Sequence, residues 1–268
     1  MALPPPAPGS TCLVTGASSG IGADMARSLA RRGHGVTLVA RREERLRELA
    51  EELSSGQGVR AETLACDLND PAARDKLEAD IAGLGLEVGV LVNNAGFGSS
   101  GYFHELDREN EVAMVRTNVE AVVDLCGRFV PAMVDRQAGA VLNVASSAAF
   151  QPFPLQATYA ATKAFVLSFS EALSQDVGGT GVSVTALCPG PVKTEFVAKA
   201  GFDESEELAP SFMWVDAVDV AEAGVAGLDA GRRVVVPGVF NRVGAIAGQH
   251  APRSLLLRLV ARAHPAAK

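Results

Sequence analysis

The sequence predicts a single α/β domain built on a doubly wound, open parallel sheet. Short apolar runs rich in Val and Leu alternate with stretches of helical periodicity along the first 190 residues. The runs lack the polar/apolar alternation of half-exposed strands, as strands covered on both faces do. No boundary rich in Pro, Gly or Ser divides the chain, and no internal repeat is visible.

In chain order, Thr11–Thr15 is the first strand and Ile21–Arg32 the first helix. Strand Gly35–Ala40, helix Arg42–Leu53, strand Val59–Ala65, helix Ala72–Ala82 and strand Gly89–Val92 follow. A long helix Arg108–Val134, strand Ala140–Ala145, helix Tyr159–Asp176 and strand Val182–Leu187 continue the series. Strand–helix alternation with right-handed crossovers places helices on both faces of the sheet. After Leu187 the pattern loosens. Cys188–Trp214 combines Pro189, Gly190, Pro191, Gly201 and Pro210 with Phe196, Phe202, Phe212, Met213 and Trp214. A loop this long in a compact domain reads as a lid, over 189–214. A helix Asp216–Ala230 and a strand Arg233–Val236 complete the sheet. The expected organisation is a flexible tail over 1–9, the main domain over 10–240, and a helical tail over 241–268.

Composition narrows the function classes. Of 268 residues, 48% are hydrophobic and 21% charged, which fits a globular domain rather than a disordered chain or a coiled coil. A net charge of −7 offers no general attraction for nucleic acid or an anionic membrane, and 5% aromatics make base-stacking platforms improbable. Cys12, Cys66, Cys126 and Cys188 form no Cys-x-x-Cys pair, so no metal site and no disulfide framework is expected, and a reducing, cytoplasmic setting fits. Met1–Ser10 lacks the basic start of a signal peptide. No uncharged apolar run approaches the roughly 18 residues of a membrane span. Ser254–His264 reads as a short amphipathic helix, docked on its own protein or a twin subunit. Lying on a membrane surface is its minority reading.

Chemistry begins at Thr15-Gly16-Ala17-Ser18-Ser19-Gly20-Ile21-Gly22, between the first strand and the first helix. Gly16, Gly20 and Gly22 permit a tight turn and close backbone approach. The N–H groups of Ser18, Ser19 and Ile21 at the positive helix end suit a pyrophosphate. An NAD-type site places an acid about 20 residues beyond such a turn. Here the second strand ends Val39-Ala40-Arg41-Arg42 instead, and a guanidinium suits a 2′-phosphate. NADP(H) is therefore the expected cofactor and NAD(H) the lesser alternative, with Arg41 favoured over Arg42 as the contact.

Tyr159 and Lys163 stand at i and i+4, neighbours on one helix face. A nearby cation lowers a phenol pKa from about 10 and prepares it for proton exchange. In this company the chain resembles the short-chain dehydrogenase/reductase family, over roughly residues 10–240. The resemblance rests on Thr15–Gly22, Asp67, Asn93-Asn94-Ala95-Gly96, Asn118, Ser146, Tyr159 with Lys163, and Pro189-Gly190-Pro191-Val192-Lys193-Thr194. Ser146 precedes Tyr159 by 13 residues, the family's usual offset, which Ser147 misses. Ala145 and Thr162 depart mildly from the family pattern.

The resemblance implies a Rossmann fold and a role for each residue. Ser146 would hydrogen-bond a substrate carbonyl, Tyr159 would be the acid/base, and Lys163 would hold the nicotinamide ribose and tune the phenol. Asn118 would position a water. Asp67 would meet the adenine, Asn93 would brace the cofactor site beside Ala95 and Gly96, and Thr194 would bond the carboxamide. Val192, with Pro189 and Gly190, would supply backbone contact. The expected activity is NADP(H)-dependent interconversion of a hydrophobic ketone or aldehyde and its alcohol, in a homodimer or homotetramer. A non-catalytic NADP(H) sensor, or a peripheral membrane protein acting through Ser254–His264, are the alternatives. His34, His104, His250 and His264 lack partners at ligand spacing, and Asp203–Glu207 reads as solvated lid.

Overall fold

Apolar strands buried on both faces must pair with one another and be roofed by helices, and this chain does so in a single sheet. The computed structural model describes residues 3–196, 200, 210–254 and 256–257. Its strands are β1 (Ser10–Thr15), β2 (Val36–Ala40), β3 (Ala61–Ala65), β4 (Glu87–Asn93), β5 (Gly139–Val144), β6 (Val182–Leu187) and β7 (Val234–Val235). They pair in the order β3-β2-β1-β4-β5-β6-β7, all parallel. The order reverses between β1 and β4, so their carboxyl ends diverge and open a crevice.

Period-two alternation distributes each strand between two cores. Val14, Leu38, Val92 and Leu142 join one cluster with Met25 and Leu29 of α1 (Gly20–Arg31), Leu46 and Leu53 of α2 (Glu43–Gln57), and Val220 and Leu228 of α7 (Ala217–Asp229). Their neighbours Leu13, Val39, Leu91 and Val141 join the other. There they meet Leu77 and Ile81 of α3 (Pro71–Gly83), Leu125 and Met133 of α5 (Ala121–Asp135), and Val166 and Leu167 of α6 (Ala157–Asp176). A doubly wound sheet with one core per face follows directly.

The ends of helices are set by short polar residues. The Asp70 side chain accepts from Ala72 N at 2.9 Å, with Pro71 in the first turn of α3. Asp107 accepts from Asn110 N at 3.1 Å and starts α4 (Arg108–Val115).

Three features depart from the expected outline. The helix expected over Arg108–Val134 is interrupted: α4 and α5 are separated by a π-helical turn, Arg116–Glu120, which holds Asn118. One extra residue per turn shifts the buried stripe without erasing it, so periodicity reads through the break. A 3₁₀ turn, Ser147–Phe150, follows β5, and the tail carries a further helix, α8 (Val239–His250). Of the expected helix Ser254–His264 only Ser254, Leu256 and Leu257 are described, with Leu256 N bonded to Pro252 O at 3.1 Å. Phe202 and the acidic stretch 203–207 lie outside the described residues. Among the described residues no helix is long and apolar enough to cross a membrane, and no group of His, Cys, Asp and Glu is arranged to hold a metal ion.

Leu142 lies in a central strand with no solvent exposure. Leu142→Ala removes its transfer energy and leaves a cavity, so urea unfolding should show a loss of about 2–5 kcal/mol. A change below about 1 kcal/mol would mean that this face of the sheet is not packed as described.

Candidate active site

The crevice at the β1/β4 divergence is floored by backbone. Gly16 adopts φ +67°, and a Cβ there would lie 2.9 Å from Ala95 Cα. A Cβ on Gly22 would lie 2.5 Å from the Gly16 carbonyl oxygen. No larger residue fits either place. Asn94 fastens the two strand ends: its Nδ2 donates to Thr15 O at 2.9 Å, and its backbone N–H donates to Thr15 Oγ1 at 3.0 Å. The cleft that results has a volume of about 760 Å³, within the range of small-molecule sites.

Most of the residues singled out in the sequence border this cleft. Gly16, Ser18, Ser19, Gly20, Ile21, Arg41, Asp67, Ala95, Gly96, Ser146, Tyr159, Lys163, Pro189, Gly190, Val192 and Thr194 all do. Gly22, Asn93 and Asn118 do not, and each has a definite place behind the wall. Gly22 sits beneath the turn. Asn93 points into the sheet, where its Nδ2 donates to Asn143 Oδ1 at 2.8 Å, and Asn143 Nδ2 donates to Ser170 Oγ at 2.9 Å. It is the neighbouring Asn94 that reaches the cleft. Successive strand residues face opposite ways, and the motif alone does not say which amide faces the crevice.

Both arginines border the cleft, in different settings. Arg41 borders the cleft and is exposed. Arg42, the N-cap residue of α2, lies across the glycine turn: its Nη2 donates to Ser19 Oγ at 2.7 Å and Ser18 Oγ at 3.0 Å. Its Nη1 donates to Glu195 Oε2 at 2.8 Å. Arg45, one turn on, also grips Glu195. The contact between Arg42 and Glu195 is not readable from spacing, because the two lie 153 positions apart. Beyond the end of β3, Asp67 Oδ1 accepts from Asn69 N at 3.0 Å, an Asx turn that orients the loop.

The opposite end of the cleft holds the buried polar set. The i, i+4 spacing places Tyr159 and Lys163 on one face of α6, with Lys163 Nζ 5.9 Å from the phenol ring centroid. Ser146 starts the 3₁₀ turn after β5, and its Oγ accepts from Ala148 N at 3.1 Å. Lys163 Nζ donates to Val144 O at 2.8 Å. Asn118 is committed to the backbone: its Oδ1 accepts from Phe97 N at 3.2 Å, and its Nδ2 donates to Phe97 O at 3.0 Å and Thr162 Oγ1 at 3.1 Å. The π turn thus locks α6 to the loop after β4.

Burial dominates the electrostatics. It pushes the Tyr159 phenol up to about 12, and the hydrogen bond with Ser146 draws it back only in part. It pulls the Lys163 ammonium down to about 8. The lowering of the phenol expected from Lys163 is not what acts here: desolvation raises it, and the opposing influence is the Ser146 hydrogen bond.

The segment after β6 closes the cleft. Ser147 N donates to Pro189 O at 2.7 Å, and Val192 bridges to Val215. A Cβ on Gly190 would meet the Asn241 side chain at 2.3 Å, so α8 packs against this segment. Thr194 Oγ1 accepts from Phe196 N at 3.3 Å, and the Phe196 ring lies 5.5 Å from that of Tyr159.

Known proteins resemble this chain in sequence and in fold. A family model described as short chain dehydrogenase matches residues 10–205. Sulfoacetaldehyde reductase 2 of Chromohalobacter salexigens is 38% identical over 215 residues, covering 78% of this chain and 84% of that protein. Very-long-chain 3-oxoacyl-CoA reductase of Bos taurus is 36% identical over 191 residues; the match covers 70% of this chain and 61% of the longer bovine protein. A short-chain dehydrogenase from Sphingobium yanoikuyae, solved in complex with NADPH, superposes with a TM-score of 0.80 at 34% identity, over 93% of this chain and 95% of that one.

The Lys163 shift has a thermodynamic consequence. Its ordinary value is 10.5 and its folded value about 8, so between these the folded chain holds fewer protons than the unfolded one. Stability contributed at this position is present above pH 10.5 and is lost as pH falls towards 8. Urea midpoints at pH 7.5 and about 9.5 should therefore rise more for the wild type than for Lys163→Met. Identical pH dependence in the two chains would contradict a buried, depressed lysine.

Proposed function

The chain belongs to the short chain dehydrogenase family, and on that premise we propose that it is an NADP(H)-dependent oxidoreductase interconverting a hydrophobic ketone or aldehyde and its alcohol. One observation carries this reading: Ser146, Tyr159 and Lys163 meet on one wall of a cleft whose other end is a glycine turn crossed by Arg42. The residues present fit a dinucleotide. The glycine turn forms a cradle that a Cβ would fill, and the arginines match a 2′-phosphate. When bound, the nicotinamide supplies or receives the hydride.

The chain's own groups handle the oxygen. Ser146 Oγ donates to the carbonyl oxygen and shares the charge that develops on it. Tyr159 then delivers its proton to that oxygen. A phenol held near 12 is fully protonated at neutral pH, which suits an acid acting on an alkoxide. Lys163 sits one turn away, its ammonium tied to Val144 O, and adds positive potential beside the phenolate that forms. In the reverse direction Tyr159 takes the alcohol proton. Phe97, Phe153 and Phe196 pack around Tyr159, Met213 and Trp214 also border the cleft, and together they favour an apolar substrate.

Tyr159→Phe should lower kcat for carbonyl reduction by about 10²–10⁴-fold while NADPH binding, followed by fluorescence, stays within about twofold. Wild-type turnover in that variant would remove Tyr159 from the chemistry. Arg42→Ala should weaken NADPH binding about 10- to 100-fold and NADH binding far less. Equal weakening of the two cofactors would place the 2′-phosphate elsewhere.

A further inference from the structure

The guanidinium that faces the glycine turn is shared with a carboxylate from the far side of the cleft. Arg42 spends its Nη2 on Ser18 and Ser19 and its Nη1 on Glu195. Glu195 belongs to the segment after β6, whereas Arg42 and Arg45 belong to α2, so this pair bridges the two walls of the cleft. Neither partner is buried, which leaves the contact open to an incoming anion.

We propose that Glu195 is a cofactor-specificity residue: its carboxylate competes with a 2′-phosphate for Arg42. The chain's preference for the phosphorylated dinucleotide is thereby held below what its arginines alone would give. This rests on the reading of Arg42 as the phosphate contact. A 2′-phosphate carries nearly two negative charges, and it must either displace Glu195 or share one guanidinium with it at close range. A 2′-hydroxyl meets no such penalty. The carboxylate that many dinucleotide sites carry at the end of the second strand is absent here, where Arg41 and Arg42 stand. Glu195 brings one to the Arg42 guanidinium from the opposite wall.

The adjoining residues make the position consequential. Thr194 lies against the glycine turn, where its Cγ2 would be 3.1 Å from a Cβ on Gly20, and Phe196 packs on Tyr159. Glu195 is thus flanked by one residue at the phosphate turn and another at the catalytic phenol.

The test uses 2′,5′-ADP and 5′-AMP, which carry the two kinds of ribose without the nicotinamide, titrated calorimetrically into the full chain. Glu195→Gln keeps the shape and removes the charge. It should tighten 2′,5′-ADP about three- to tenfold and move 5′-AMP by less than twofold. In an Arg42→Ala background the same substitution should lose most of that gain. Unchanged or weakened 2′,5′-ADP binding, or an equal shift for both nucleotides, would overturn the proposal. A wild-type chain that binds 2′,5′-ADP no better than 5′-AMP would instead overturn the underlying reading of Arg42. Thermal shift of each variant without nucleotide reports whether the fold is intact.

Discussion

Backbone must approach backbone where β1 turns into α1, and the rest of the site depends on that closeness. Gly22 lies under the Gly16 carbonyl, and Gly16 lies against Ala95 of the next central strand end. Because these positions lack side chains, the first turn of α1 can present its N–H groups to the cleft, and β4 can end beside it. Asn94 converts this proximity into a fixed distance by bonding to Thr15. The cleft is therefore a product of strand order and of absent Cβ atoms, with side chains added around its rim.

The other end of the cleft is built on a conflict between chemistry and solvation. A phenol and an ammonium stand side by side, and both are 9% exposed or less. Desolvation then favours their neutral forms, raising one pKa and lowering the other. The surrounding polar groups offset part of that cost: Val144 O receives the lysine, and Ser146 meets the phenol. Asn118 and Thr162 keep the helix bearing both residues at a constant height above the loop Ala95–Phe97. A packed hydrophobic neighbour would fill the space equally well, but only polar links fix orientation as well as distance.

Much of this was legible in the residues, and the limits are physical. Strands buried on both faces announce themselves by unbroken apolar runs, so the sheet and its order of elements follow from sequence with ends shifted by a residue or two. The placement of Gly16, Tyr159 and Lys163 at the cleft is legible because it depends on local spacing. The π turn at Arg116–Glu120 was not, since a local bulge leaves helical periodicity nearly intact. Asn94 rather than Asn93 reaches the cleft, whereas Arg41 and Arg42 both border it. The adjacent asparagines face different ways, and only the fold decides which one reaches the cleft. Glu195 was invisible for a further reason: its partners are roughly 150 positions away in sequence.

The amides beneath the sheet have a consequence for how the chain finds its structure. Asn93 and Asn143 lie opposite each other on β4 and β5, wholly inside, and Ser170 completes the line from α6. Among purely aliphatic strands, sliding by two residues exchanges one set of methyl groups for another at small cost. Here any slip strands two amides in hydrocarbon without their mates. The pair acts as a notch between the innermost strands, and a sheet paired out of register would be disfavoured by the cost of those amides.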